Sequence, residues 1–311
     1  MQKRTRFMGA ALALAVLLVG TSSLFAQVQV TDCMACHNDT TVITEKQTAM
    51  SESVHGTGEA YVRGTSAGCA GCHSGGAFSA MVAAGLTPNT VEAGDPNPTR
   101  QSCRACHQVH TSYTEADWAL ETTAAVNLYA FGELTYDGGK GNLCANCHQP
   151  RRAIAEPDAD GNIAVTSTHW GPHHGPQSAM LLGTGGAGDV AGVPSFHYRL
   201  VGDTCVTCHI GADSSHTFEA VSSSCDECHA PEEDLESVQA EIAAQIAELG
   251  DLLVAKGLLD EAGHPVVGVY PAAEASALWN YIFISIEDGS LGAHNTPYTR
   301  ALLNASIAAL Q

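Results

Sequence analysis

The chain has 311 residues, 33 acidic against 13 basic side chains, and a formal net charge of −20. That balance argues against nucleic acid and anionic membrane surfaces as partners. Aromatic residues make up only 6% and there are 31 glycines, so ordinary side chains give a thin core for this length and something else must supply apolar volume.

In chain order, the first segment reads as an export signal. Lys3, Arg4 and Arg6 form a basic start, Phe7 to Gly20 is an apolar run, and the small or polar stretch that follows ends at Ala26. This pattern predicts a cleaved signal peptide over 1–26. The apolar run is shorter than the roughly 20 residues of a spanning helix, and no later stretch could cross a bilayer. The expected destination is the periplasm or the extracellular space, with no stable membrane insertion.

Every cysteine then falls in one repeated pattern, Cys-x-x-Cys-His. The copies are Cys33, Cys36, His37; Cys69, Cys72, His73; Cys103, Cys106, His107; Cys144, Cys147, His148; Cys205, Cys208, His209; and Cys225, Cys228, His229. Two thiols separated by two residues on one helical turn can each add to a vinyl group of the same porphyrin, and the next residue aims its imidazole at the iron. Zinc ribbons use paired cysteines but have no role for a histidine directly after the second one. A disulfide in such a tight ring needs no histidine, and thioredoxin-like pairs come singly beside a βαβ pattern absent here. The twelve cysteines therefore predict six covalently attached haem c groups. These haems are the missing core.

The motif histidines are unevenly spaced, with Gly/Pro/Thr-rich connections such as 87–99 and 183–194 between them. The expected class is mainly α with extensive irregular structure, a haem-cored multihaem cytochrome c with a C-terminal helical layer. Residues 27–230 form the expected hexahaem-binding domain and 231–311 a helical segment packed on it. In that segment Pro231, Glu232, Glu233 and Asp234 open a helix whose apolar residues Leu235, Val238, Ile242, Ile246, Leu249 and Leu253 recur at helical spacing up to Gly257. A second helix starts at Pro271 and ends near Gly289. A third runs from Thr296, as cap, and Pro297 to Leu310.

Six closed haems need six further ligands. Nine histidines lie outside the motifs, and methionine is scarce. The candidates for the second axial position are His55, His110, His174, His197, His216 and His294. His110 lies three residues beyond His107 and should serve a neighbouring haem. His173 and His174 are adjacent and compete for one iron, with the His-Gly context favouring His174. His169 reads as a packed histidine beside Trp170 or a propionate partner, and His264 as a surface residue.

The motifs, together with SVHG, HHGPQ, SHTF and the tail DGSLGAHNTPYTRALLNAS, resemble the multihaem cytochromes related to cytochrome c nitrite reductase, hydroxylamine oxidoreductase and tetrahaem cytochrome c554. The resemblance implies that His294 is a distal ligand and that haems pack in parallel and perpendicular pairs. The pentahaem nitrite reductases carry their catalytic haem on CxxCK, and all six motifs here end in histidine. The expected function is therefore electron transfer, with no catalytic residue assigned. The alternative is a reductase of small nitrogen or sulfur compounds, of nitrite or hydroxylamine type, with one open haem. Expected partners are other redox proteins: cytochromes, quinol-oxidising membrane complexes or extracellular acceptors. Self-association into an oligomer or filament is compatible with the sequence.

Overall fold

The computed structural model describes residues 37, 41–173, 175–220, 222–226, 228–230 and 235–311. The expected leader at 1–26, Cys33 and Cys36 of the first motif, His174, and the acidic stretch 231–234 lie outside the described residues. Among the described residues the chain is mainly α with extensive irregular structure. In chain order the helices are α1 Thr41–Glu52, α2 Val54–Thr57, α3 Ala67–His73, α4 Gly75–Ala83, α5 Cys103–Cys106, α6 Asn142–Ala145, α7 Gln177–Leu182, α8 Phe196–Leu200, α9 Cys205–His209, α10 Leu235–Ala255, α11 Ala272–Tyr281 and α12 Thr296–Leu310. Two antiparallel ribbons join them: β1 Val126–Asn127 with β2 Thr135–Tyr136, and β3 Asn162–Val165 with β4 Gly268–Pro271. No helix among the described residues is long and apolar enough to cross a membrane.

The conventional core lies towards the C-terminus. The apolar stripe of α10 buries Ile242, Leu249 and Leu253 completely, as its spacing of three and four dictates. Helix α11 continues as a π-helical turn, Ile282–Asp288, and stops at Gly289, whose φ of 65° only glycine adopts without strain. Helix α12 packs on both α10 and α11. Its cap is Asn295, one residue before the expected Thr296: the Asn295 side chain accepts from the Tyr298 amide at 3.4 Å. The Asn295 amide group also donates to the carbonyls of Met180 and Val193, both at 3.0 Å. One side chain thus starts the last helix and ties it to the middle of the chain.

That middle segment belongs to the same core. Ile163, Val165, Trp170, Met180 and Ala187 are buried with the C-terminal helices. Trp279 donates from Nε1 to the Gly185 carbonyl at 2.8 Å, and Asn280 pairs with both backbone groups of Ala187. The approach is close enough that a Cβ at Gly186 would sit 2.4 Å from Leu302 Cδ2. Residues 41–160 contribute mainly to two small apolar clusters, one around Leu128 and Tyr136 that α7 completes with Ala179, Leu181 and Leu182, and one around Phe78 and Met81.

Leu302 is fully buried among these helices. Leu302→Ala should destabilise the layer by about 2–5 kcal/mol in chemical denaturation. A loss well below about 1 kcal/mol would show that the layer is loosely packed.

Candidate functional site

The described Cys-x-x-Cys-His copies sit on tight helical turns. The histidine amide donates to the carbonyl of the first cysteine in three copies: His107 to Cys103 at 2.8 Å, His148 to Cys144 at 2.9 Å, and His229 to Cys225 at 2.8 Å. Such a turn puts both thiols on one side of the helix. None of the described cysteines is in a disulfide.

Each motif histidine faces a second histidine ring. The ring centres are 6.1 Å apart for His37 and His110, 6.1 Å for His148 and His55, and 6.5 Å for His73 and His173. They are 6.3 Å apart for His107 and His216, 6.3 Å for His209 and His294, and 6.1 Å for His229 and His197. Two imidazoles bonded on opposite sides of one metal, at about 2.0–2.1 Å from each nitrogen, have ring centres roughly 6.3 Å apart. Aromatic rings that merely pack have centres spread over about 4.5–7 Å, so it is the repetition of one narrow spacing at every motif histidine, rather than any single distance, that points to a shared metal.

In six of the twelve paired rings the outer nitrogen is held as metal-binding imidazoles require. Nδ1 lies 2.7 Å from the Trp118 carbonyl in His107, 2.8 Å from the Phe218 carbonyl in His209 and 2.8 Å from the Ser214 carbonyl in His216. In His197 it lies 2.7 Å from the Ala293 carbonyl, and in His148 it is 3.1 Å from Gln177 Oε1. An acceptor at Nδ1 fixes the proton there and leaves Nε2 free for a metal. His294 is the strongest case. Its Nδ1 lies 2.7 Å from Oδ1 of Asp288, a side chain only 1% exposed. Burial opposes the charged imidazole, but the charge and hydrogen bond of Asp288 outweigh it and raise the His294 pKa. At His55, burial and then the facing His148 push the pKa down to about 4, so this ring is neutral near pH 7.

The loops aim these rings by local backbone devices. Ser53 caps α2 through a 3.2 Å bond from the Gly56 amide, which fixes the turn carrying His55. His110 and His173 both have positive φ, 65° and 76°, a costly conformation for a residue with a Cβ. Around His110 the cost is offset by Asp117, whose carboxylate accepts from the Ser112 amide at 2.7 Å, the Ser112 hydroxyl at 2.6 Å and the Tyr113 amide at 3.0 Å. Burial pushes the Asp117 carboxyl up, yet these bonds and one from the His110 amide hold it below its usual range.

Porphyrin would find suitable walls. A pocket lined by Cys69, Cys72, His73, Tyr129, Arg151 and His173 brings one motif, its facing ring and a cation together. Burial pushes Tyr129 up to about 12, so it stays protonated. Large apolar side chains remain exposed beside the paired histidines: Val54 next to His55, and Phe196 and Leu200 around His197. The donor set, ring spacing, fixed tautomers and adjacent apolar surface all fit haem c.

The pairs also adjoin one another. Cys72 touches Cys147, and Cys144 touches Cys205, each contact joining two motifs. The Phe218 ring lies 4.8 Å from His55 and 6.0 Å from His216. The His148 motif therefore meets its neighbours on three sides.

Of the sequence candidates, His55, His110, His197, His216 and His294 each face a motif histidine. His174 lies outside the described residues, and among those described the ring facing His73 is that of His173. Sequence reasoning gave no role to Asp117, Gln177 or Asp288. Gln177 and Asp288 fall inside the quoted segments HHGPQ and DGSLGAHNTPY, but nothing in those segments marks either as the acceptor behind a histidine, and Asp117 is a polar side chain in a loop, too common a signal to single it out.

No family model matches the chain, and no curated protein does either. Among solved structures, the outer cell wall cytochrome OcwA superposes with a TM-score of 0.52 at 21% identity, over 86% of this chain and 50% of that one. An undecahaem cytochrome from the S-layer of Carboxydothermus ferrireducens gives 0.47 at 19% identity, over 79% of this chain and 38% of that one. The chain thus spans about half the length of OcwA and 38% of the second structure. The likeness to OcwA shows that the chain shares the fold of a multihaem cytochrome.

Asp117→Ala removes the acceptor that organises the His110 loop. Hydrogen exchange at the Ser112 and Tyr113 amides should speed up, with α12 unchanged. Unaltered exchange in that loop would contradict the role given to Asp117.

Proposed function

We propose that the chain is an exported electron-transfer cytochrome that carries six covalent haem c groups, each held between two histidines. The observation that carries this reading is the repeated pairing: every motif histidine faces a second histidine at the spacing of a shared metal. In this reading His37, His73, His107, His148, His209 and His229 are the proximal ligands. His110, His173, His216, His55, His294 and His197 are, in the same order, the distal ones. His173 replaces His174 in this set because its ring faces His73. The haems supply one-electron chemistry when bound.

The chain's own residues then have three tasks. The cysteines would anchor the group, the paired imidazoles would ligate its iron, and Nδ1 acceptors hold the rings of His107, His148, His197, His209, His216 and His294 and would tune their basicity. With each motif histidine already faced by another, no open position for a substrate is indicated, and this favours a carrier over a reductase. The contacts between neighbouring motifs favour electron exchange with a redox partner through adjoining sites rather than storage at isolated ones. Export through the 1–26 leader, the 27–230 and 231–311 division, and kinship with the nitrite reductase group are parts of this proposal.

Intact mass combined with a pyridine haemochrome assay tests the reading. Six haems per chain are expected, and four or fewer would refute it. A second test uses Asp288, whose carboxylate makes His294 a stronger donor and so favours the ferric state. Asp288→Asn should move one component of a spectroelectrochemical titration to higher potential and leave the haem count at six. An unchanged titration would remove Asp288 from that role.

A further inference from the structure

A seventh histidine pair matches the spacing of the other six. His169 and His264 have ring centres 6.4 Å apart at an interplanar angle of 71°, yet no Cys-x-x-Cys precedes either residue. The six-haem reading leaves both unassigned, and the inference rests on it in that respect alone.

Both rings stand on fixed backbone. His169 precedes Trp170, which is buried and packs edge-on against Trp279 with ring centres 5.1 Å apart. His264 closes a tight loop in which Asp260 accepts from the amides of Ala262 at 2.9 Å and His264 at 2.8 Å. The other oxygen of Asp260 lies 3.4 Å from His264 Nδ1. A carboxylate behind one ring nitrogen orients the other one outward and raises its basicity, the arrangement usual around metal-bound histidine. Asp260 and Glu261 make the loop acidic, which favours a cation over the anionic propionates of another haem.

We propose that His169 and His264 bind a tetragonal transition-metal ion of the copper(II) class between their two rings, with Asp260 positioning His264. The spacing selects the geometry. Tetrahedral zinc at about 2.0–2.1 Å from each nitrogen would bring the ring centres to roughly 5.1 Å, whereas ligands on opposite sides of a tetragonal ion match the observed pair. No group of three or more metal-binding side chains is found among the described residues. The described residues therefore supply two ligands to this site, and water completes the shell. Such an ion joins the segment leading to His173 with the loop between α10 and α11, so it fastens the C-terminal layer to the neighbourhood of the His73 site.

The test is equilibrium dialysis of the haem-loaded full-length protein against copper(II), with copper and iron counted in the same sample by mass spectrometry. One copper per chain is expected for the wild type, with loss of that copper in His169→Ala and in His264→Ala. Asp260→Asn should weaken binding by roughly 10–100-fold, and zinc should compete poorly. No copper in the wild type, or equal retention in both alanine variants, would overturn the proposal, the latter showing ions held adventitiously by the acidic surface. Uptake of haemin at this pair in place of copper would overturn it too. The iron count reports haem loading independently, so failure of the six-haem reading would be seen separately from failure of the copper site.

Discussion

Holding two imidazoles apart at the width of one metal is the constraint on which the rest of this structure depends. Side chains left to pack would close that gap, because apolar and aromatic groups gain most in direct contact. Here six pairs keep ring centres between 6.1 and 6.5 Å, and each pair joins residues far apart in sequence. His73 meets His173, and His107 meets His216. The pairs therefore act as long-range ties in a chain whose N-terminal part has few others. In the haem-bound reading, ligand binding and folding are coupled, since closing such long loops without a metal costs entropy that two small apolar clusters cannot offset.

The C-terminal helices complement this arrangement. With residues 163–187 they form the one sizeable side-chain core among the described residues, and they place acceptors behind the rings. Asp288 holds His294, the Ala293 carbonyl holds His197, and Gln177 bridges His148 to the Glu287 carbonyl at 2.8 Å. Three of the pairs thus take their orientation from one corner of a rigid layer. The same corner explains why the helix must stop at Gly289: the chain has to turn back so that His294 returns to the carboxylate six residues before it.

Much of this is legible in the sequence, for reasons that differ by element. The motif turns are legible because covalent attachment demands a fixed spacing on one helical turn. The three late helices are legible because each has a strong apolar period and a proline or glycine at an end, although the cap of α12 falls at Asn295, one residue before the Thr296 that the sequence pattern suggests. Which histidine faces which motif is a tertiary fact with no local period. Among the described residues it is His173 whose ring faces His73, and sequence shows only the glycine that follows the adjacent pair. Asp117 and Asp288 were invisible because an acidic side chain gains its role only once loop and ring have met.

Electron paramagnetic resonance of the fully oxidised protein tests the central claim most directly, because it reports the axial state of every iron at once. Histidine on both faces of all six irons predicts low-spin ferric signals that integrate to six per chain, with no high-spin component. A high-spin signal amounting to one iron or more would contradict the account and point instead to a haem open to substrate.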